Sequence, residues 1–204
     1  MLEILSGLGL SAAAGLNAYI PLIALGLAGR FLDFVTLPAG WSWLSNEWVL
    51  LGLGVLLVIE LIADKIPVVD SINDWIQTVI RPAAGGIVFG TGAATETSAI
   101  SDPAQFFTDH NWVPVLLGVG ISLAVHLTKM AARPVANALT LGVAAPVISV
   151  VEDFGSVALT VLAILLPVFV ILALVGIVWF FVAIFRKAAS RRRTAATAPP
   201  IPQP

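Results

Sequence analysis

A run of thirty residues, from Ser156 to Phe185, contains no charged side chain. A helix needs about 20 consecutive apolar residues to cross the hydrocarbon core of a bilayer. The run therefore predicts a membrane-spanning helix. The rest of the chain follows the same trend, since 59% of its 204 residues are hydrophobic and 11% are charged. A soluble domain carries about 25% charged residues, so we expect an all-α, polytopic transmembrane bundle.

Six segments are long and apolar enough to be counted as spans: 4–29, 48–64, 82–100, 112–132, 134–151 and 156–185. The third is rich in Gly, Ala and Thr, and the fifth is short and contains Pro146. Each of these two either crosses fully or enters as a short or re-entrant half-helix that lines a cavity. Three spans in each half also suggest an inverted 3+3 repeat.

A short amphipathic helix is predicted between the second and third spans, from Asp70 to Ile80. Ile72, Trp75 and Val79 fall at helical spacing on one face, which favours a helix lying in the plane of the membrane surface. Residues 1–185 are thus predicted to form one transmembrane domain. Residues 186–204 are predicted to form a basic and then Pro/Ala-rich disordered cytoplasmic tail.

The basic residues give a separate indication of topology. If six spans place both termini in the cytoplasm, nine of the ten Lys and Arg residues lie on the cytoplasmic side, and Arg30 alone lies outside. Such a bias is typical of cytoplasmic loops in membrane proteins. We therefore expect cytoplasmic N- and C-termini.

Ionisable residues within the spans are candidates for a site, because each costs roughly 2.5–3.5 kcal/mol on insertion scales. Glu60 and Asp64 are four residues apart, on one helical face. His126 and Lys129 lie at the inner end of the fourth span, where their depth matches that of Glu60. We interpret these four residues as a substrate or ion site, with His126 beside a carboxylate as a proton relay. The alternative is structural: neighbouring bases hold the carboxylates, and Lys129 and Arg133 only extend to the membrane surface.

A second group of polar residues supplies further candidates for this site. Asp70 and Asp74 suit the first turn of the amphipathic helix, although two carboxylates can also bind a hard cation. The six-span count places Glu152 and Asp153 on the outer side, and adjacent helical residues point too far apart to face one partner. The secondary candidates are Asn17, Asp70, Asp74, Arg81, Glu152 and Asp153.

Several classes of chemistry are not predicted. The chain has no cysteine, which excludes disulfides and thiol nucleophiles. It has no phosphate-binding glycine loop and no serine-hydrolase or zinc-protease pattern. We therefore predict no cofactor, no catalytic residue and no nucleic-acid partner, and we favour a protein that is not an enzyme.

Three stretches of the sequence are familiar in combination. They are SAAAGLNAYIP (11–21), IELIADKIP (59–67) followed by DSIND (70–74), and HLTK (126–129) with ED (152–153). Together they resemble a bacterial integral-membrane family that is catalogued only as a domain of unknown function. The resemblance implies a membrane location, and it implies no activity, substrate or catalytic residue.

The leading functional hypothesis is a small transporter or channel for a polar or ionic solute in the bacterial plasma (inner) membrane. Its expected partners are the lipid bilayer, the solute and a second copy of the chain in a homodimer. One alternative is a membrane scaffold or lipid-interacting protein without transport. Another is an intramembrane enzyme in which Glu60 or Asp64, with His126, performs acid–base chemistry on a lipid headgroup.

Overall fold

A computed structural model describes residues 2–93, 112–140 and 144–196 of the chain. These residues form helices and connecting turns without a strand, which confirms the all-α prediction. Two 3-10 helices, Ala39–Ser45 and Pro167–Phe169, join longer elements. The α-helices are α1 (Leu2–Leu16), α2 (Tyr19–Phe31), α3 (Glu47–Ala63), α4 (Pro67–Ala93), α5 (Trp112–Thr140), α6 (Ala144–Leu165) and α7 (Val170–Ala196).

Within the described residues, three stretches are long and apolar enough to cross a membrane: Trp112–Ala136, Pro146–Leu165 and Pro167–Lys187. A fourth is present if the 3-10 helix Ala39–Ser45 and α3, which are bent by 64°, form one broken span. α1 and α2 are apolar but shorter. These helices are compatible with a membrane protein, whereas the predicted count of six spans is not confirmed.

The first predicted span, 4–29, is two helices that fold back on each other. Leu10 of α1 and Leu25 of α2 line the same cavity of about 160 Å³. In one straight helix these residues would be about 22 Å apart. The prediction of a single crossing is therefore wrong here. The re-entrant shape that we expected at the third or fifth segment occurs instead at the first.

The predicted amphipathic helix and the third predicted span form one helix, α4, which continues through Pro82. Trp75 and Val79 each expose 73% of their surface, while Gln77 and Arg81 are buried. An amphipathic helix of a soluble protein buries its apolar face and exposes its polar face. The exposed apolar face of α4 is therefore suited to contact with lipid. The prediction of a separate surface helix is wrong, because the chain does not turn before Pro82. Residues 94–100 lie outside the described residues.

The fifth predicted span, 134–151, is not a helix of its own. α5 continues through Pro134 to Thr140, and α6 begins at Ala144. A proline within a helix removes one backbone hydrogen bond, and neighbouring helices in a membrane bundle compensate for it. The sequence between α5 and α6 is therefore a short connection, and the crossing that we assigned to it is lost. Residues 141–143 of this connection lie outside the described part.

The uncharged run that ends at Phe185 is also divided. The amide of Leu166 still donates to the carbonyl of Leu162 at 2.8 Å, but Pro167 has no amide hydrogen to continue the helix. The backbone turns at Leu166 (φ −140°, ψ 62°). The prediction of one spanning helix over this run is wrong, and the run contributes the end of α6 and the beginning of α7. The helix α7 then extends past the first basic residues to Ala196.

The helix α1 lies at the centre of the bundle, between α4, α5 and α6. Its glycines allow this close approach. A Cβ atom at Gly9 would lie 2.9 Å from Ala163, and one at Gly15 would lie 2.6 Å from Val125. In contrast, α3 and α7 expose their apolar side chains, as at Leu51 and Leu172. The polar residues described next therefore lie between α1 and the helices around it.

Candidate functional site

Ionisable side chains from four helices meet in one buried cluster, which we call the ion cluster. None of these side chains belongs to a residue with more than 6% of its surface exposed. Helical spacing explains the convergence, because residues three, four or seven apart share one face. The members are Glu60 and Asp64 at the end of α3, Asp74 and Arg81 of α4, His126, Lys129 and Arg133 of α5, and Glu152 of α6.

Arg81 joins α3 to α1 and α5. Its Nη2 atom lies 2.7 Å from Oε1 of Glu60 and 3.9 Å from Oδ2 of Asp64. Its Nη1 atom donates to the carbonyl of Gly15 at 3.3 Å and lies 3.3 Å from Nδ1 of His126. The fully buried guanidinium thus holds one carboxylate, one helix end and one imidazole in fixed positions.

The contact with Arg81 determines the state of His126. A guanidinium has donors only, so Nδ1 of His126 accepts and the proton lies on Nε2. That nitrogen is 3.2 Å from the carbonyl of Asp74 and 3.0 Å from Oγ1 of Thr78. His126 is therefore a neutral residue that orients Arg81. The predicted relay with His126 beside a carboxylate is wrong in its geometry, because a guanidinium occupies that place.

Two bases and two carboxylates alternate at the other side of the cluster. Oδ2 of Asp64 lies 3.4 Å from Nζ of Lys129 and 3.2 Å from Nη2 of Arg133. Oε2 of Glu152 lies 3.0 Å from Nζ of Lys129 and 2.7 Å from Nη2 of Arg133. Nη1 of Arg133 is 3.9 Å from Oδ2 of Asp74. Each base thus faces at least two carboxylates.

The break between α1 and α2 adjoins the ion cluster. Lys129 donates to the carbonyl of Leu16 at 3.2 Å, so a cation occupies the negative end of the α1 dipole. Oδ1 of Asn17 accepts from the amides of Tyr19 and Ile20 at the start of α2. Nδ2 of Asn17 donates to Oδ1 of Asp153 at 3.1 Å. Both helix ends are therefore satisfied by side chains, as required at membrane depth.

The charges within the ion cluster do not balance. Among the side chains that the structure describes, four carboxylates face three cations, Arg81, Lys129 and Arg133, which leaves one negative charge in excess when His126 is neutral. An uncompensated buried charge is unfavourable unless a proton or cation neutralises it. Three buried carboxylate oxygens have no hydrogen-bond partner, namely Oε2 of Glu60, Oδ1 of Asp74 and Oε1 of Glu152. The cluster therefore has both the charge and the free acceptor positions to bind a proton.

The sequence model of one protein family, described as "Domain of unknown function (DUF4126)", matches residues 4–187. The chain belongs to this family. The match begins in α1 and ends in the basic part of α7, so it includes the whole ion cluster. No curated protein and no solved structure matches the chain. Membership of the DUF4126 family assigns no activity.

The structure brings the four main candidates of this DUF4126 chain together, since Glu60, Asp64, His126 and Lys129 all belong to the ion cluster. Of the secondary candidates, Asp74, Arg81 and Glu152 also belong to it, and Asn17 and Asp153 form a pair beside it. The side chain of Asp70 lies outside the described part of the structure. Among the described residues, no group of three acidic, His or Cys side chains is arranged to hold a metal ion.

The expected outer position of Glu152 and Asp153 is wrong. Glu152 lies 3.0 Å from Lys129, which the same count of spans had placed on the inner side. The error comes from the fifth predicted span, because without that crossing α6 starts on the side where α5 ends. The expectation that the two acids face different partners is confirmed, since Glu152 contacts Arg133 and Asp153 contacts Asn17.

Arg133 is the cluster member that sequence reasoning undervalued. It was interpreted as a residue that marks the membrane surface, yet only 3% of its surface is exposed. Its position was a usable signal, because Arg133 follows Lys129 by four residues and His126 by seven and so lies on the same helical face. A basic residue in that stripe is a candidate partner for every buried carboxylate at the same depth.

Proposed function

We propose that this chain is a proton-coupled membrane transporter for a polar or ionic solute. The observation that carries the proposal is the excess carboxylate in the ion cluster. Binding one proton neutralises the cluster, and losing it restores a buried negative charge. The two states therefore differ in electrostatic free energy, and a conformational change can reduce that difference. A broken helix pair beside the site is an arrangement that secondary transporters use.

Glu60 is the residue to which we assign the proton. Its Oε1 atom is held by Arg81 at 2.7 Å, while Oε2 is buried without a hydrogen-bond partner. A proton on Oε2 leaves Oε1 as a hydrogen-bond acceptor for Arg81, so the contact is kept while the ion pair becomes a hydrogen bond to a neutral carboxyl. Glu60 also ends α3, whose contacts with the rest of the bundle are few. The transition between the two states can therefore move α3 without unpacking α1.

The proposal is tested in proteoliposomes with an acidic interior and a pH-sensitive dye. They are diluted into pools of amino acids, polyamines, alkylamines, sugars and inorganic ions, and at least one pool is expected to accelerate the loss of the gradient relative to protein-free liposomes. Glu60→Gln keeps the shape of the side chain but removes the exchangeable proton, so this acceleration should fall at least about tenfold.

The matched control is Glu47→Gln, an exposed glutamate paired with Arg30 at 3.5 Å, which should behave as the wild type. If no pool changes the gradient, or if Glu60→Gln retains the full rate, the transport proposal fails. A scaffold without transport would give the first of these results. It would also predict that Glu60→Gln affects stability alone, because the pair with Arg81 would then be only structural.

We further propose that the protein lies in the bacterial plasma membrane with the ion-cluster end facing the cytoplasm. Lys65, Lys129 and Arg133 lie at that end, and the basic residues of α7 lie on the same side of the bundle. This distribution agrees with the positive-inside rule. The proposed topology differs from the sequence expectation that both termini are cytoplasmic. Because α2 folds back on α1, the N-terminus is expected on the face opposite to the C-terminus.

Single cysteines test this topology directly, because the chain has none of its own. Leu2 and Ser190 are both exposed. In intact cells, a membrane-impermeant maleimide should label Leu2→Cys and leave Ser190→Cys unlabelled until the cells are lysed. Equal protection of the two positions in intact cells, with labelling of both after lysis, would show that the termini share the cytoplasmic side.

A further inference from the structure

A groove of about 280 Å³ runs between α6 and α7 and is open along one side of the bundle. We call it the lateral groove. Its walls are apolar. Small residues, among them Gly155, Ala158 and Gly176, leave space between the two helices. Apart from the adjoining part of α7 itself, no described atom lies within 4 Å of the position that a Cβ atom of Gly176 would occupy. The groove is therefore empty space that reaches from the lipid-facing surface into the protein.

The inner end of the lateral groove is polar at one point, Glu152. Oε2 of this residue is bound by Lys129 and Arg133, whereas Oε1 is buried and has no hydrogen-bond partner. Only 3% of the surface of Glu152 is exposed. A buried acceptor without a donor costs about 1–3 kcal/mol. Glu152 thus brings to the lining of the groove a carboxylate whose second oxygen lacks a donor, which a ligand with an N–H or O–H group would satisfy.

Aromatic rings lie at the same end. The two stretches that line the groove, 151–159 of α6 and 173–181 of α7, are equally far from the turn at Leu166. In antiparallel helices this sets Phe180 and Phe181 level with Glu152. Aromatic faces attract cations, and the ion cluster behind Glu152 carries an excess negative charge. Both features select a positively charged group.

We propose that the lateral groove binds a protonated amine that carries a hydrophobic chain. The ammonium group donates to Oε1 of Glu152 and compensates the excess charge, while the alkyl chain lies along Gly155, Ala158 and Gly176. The apolar walls are compatible with an alkyl chain, and the charged contact at Glu152 is what favours the groove over the surrounding lipid. The inference rests on the proposed function in one respect only: it names this class of amphiphilic amine as the substrate that exchanges with the proton.

Binding is measured by calorimetry with the full chain in phosphatidylcholine nanodiscs, after subtraction of the heat from empty nanodiscs. The probe is octylammonium, and the comparison compounds are octyltrimethylammonium, octanol and octanoate. Octylammonium is expected to bind saturably with one site per chain. Octyltrimethylammonium has the charge but no N–H donor, and it should bind at least about tenfold more weakly, since a charged hydrogen bond is lost. Octanol lacks the charge and should be weaker still, and octanoate should not bind.

Three variants locate the site. Gly176→Phe fills the lateral groove from a position with free space and should remove saturable binding. Gly120→Phe places the same ring on a different helix, α5, at a glycine that also has no neighbour within 4 Å. This variant should bind as the wild type does. Glu152→Gln keeps a similar shape but loses the charge, so its affinity should fall at least about tenfold. If Glu152→Gln does not fold, the comparison of Gly176→Phe with Gly120→Phe still tests the location of the site.

Three results would overturn the inference: no saturable heat with octylammonium, equal affinity for octyltrimethylammonium, or unchanged binding in Gly176→Phe. These measurements use no pH gradient, so they separate the inference from the transport proposal. Proton-coupled flux with a solute pool, in a protein that does not bind octylammonium, would remove the inference and leave the transport proposal standing. Saturable binding without any flux would remove the transport proposal and the role of the amine as a substrate, and would leave the lateral groove as a binding site for the amine.

Discussion

Replacement of Arg133 by methionine is expected to lower the free energy of unfolding by about 3–5 kcal/mol, the usual cost of removing one partner from a buried ion pair. Arg133 holds Glu152 at 2.7 Å and Asp64 at 3.2 Å. Methionine fills much of the same volume, so the loss comes from carboxylates left buried without a counter-charge. The measurement is chemical denaturation in detergent, followed by tryptophan fluorescence.

The control is Arg30→Met. Arg30 pairs with Glu47 at 3.5 Å on the surface, and exposed pairs contribute about 0–1 kcal/mol. A second comparison is the double variant Arg133→Met with Glu152→Met, which removes both charges and should recover part of the loss. If Arg133→Met is no less stable than Arg30→Met, the ion cluster does not hold the helices together. A double variant that is as unstable as the sum of the two single variants would show that Arg133 and Glu152 are not coupled.

The convergence of the polar residues could be predicted from the sequence, because an apolar environment leaves a buried charge few alternatives. Glu60, Asp64, His126 and Lys129 were placed at one depth by their distance from the ends of apolar segments, and the structure brings them into one cluster. Their pairing could not be read in the same way. Whether Glu60 contacts Arg81, as it does at 2.7 Å, depends on how α3 and α4 are rotated about their axes, and hydropathy contains no information on that rotation.

The breaks in the helices were the least predictable part of the fold. Pro82 and Pro134 lie within helices, while Pro167 follows the turn that ends α6. The same residue type has opposite outcomes because neighbouring helices can replace a lost backbone hydrogen bond. Asn17 was predicted as a secondary candidate for the site and not as a helix cap. Its side chain caps the start of α2, and this local bond is what allows the chain to reverse. One misplaced crossing then moved Glu152 to the wrong side.

The position of Arg81 depends on the close packing of α4 on α5. A Cβ atom at Gly85 would lie 2.7 Å from the carbonyl of Gly118 and would also collide with Ser122. Ser122 donates to the carbonyl of Arg81 at 2.7 Å, so the crossing of the two helices and the position of the guanidinium are linked. Any residue larger than glycine at position 85 must separate α4 from α5.

Gly85→Leu is therefore expected to destabilise the protein by at least about 3 kcal/mol, at the upper end of the usual cost of overpacking, because the clash is with backbone and not with a flexible side chain. Gly120→Leu is the matched control on α5, since a Cβ atom there meets nothing within 4 Å. Thermal unfolding in detergent compares the two. Equal melting temperatures would mean that α4 and α5 are further apart than the structure places them, and that Arg81 does not depend on their contact. A loss of stability in Gly85→Leu, without a loss in Gly120→Leu, would instead show that the ion cluster depends on the contact between α4 and α5.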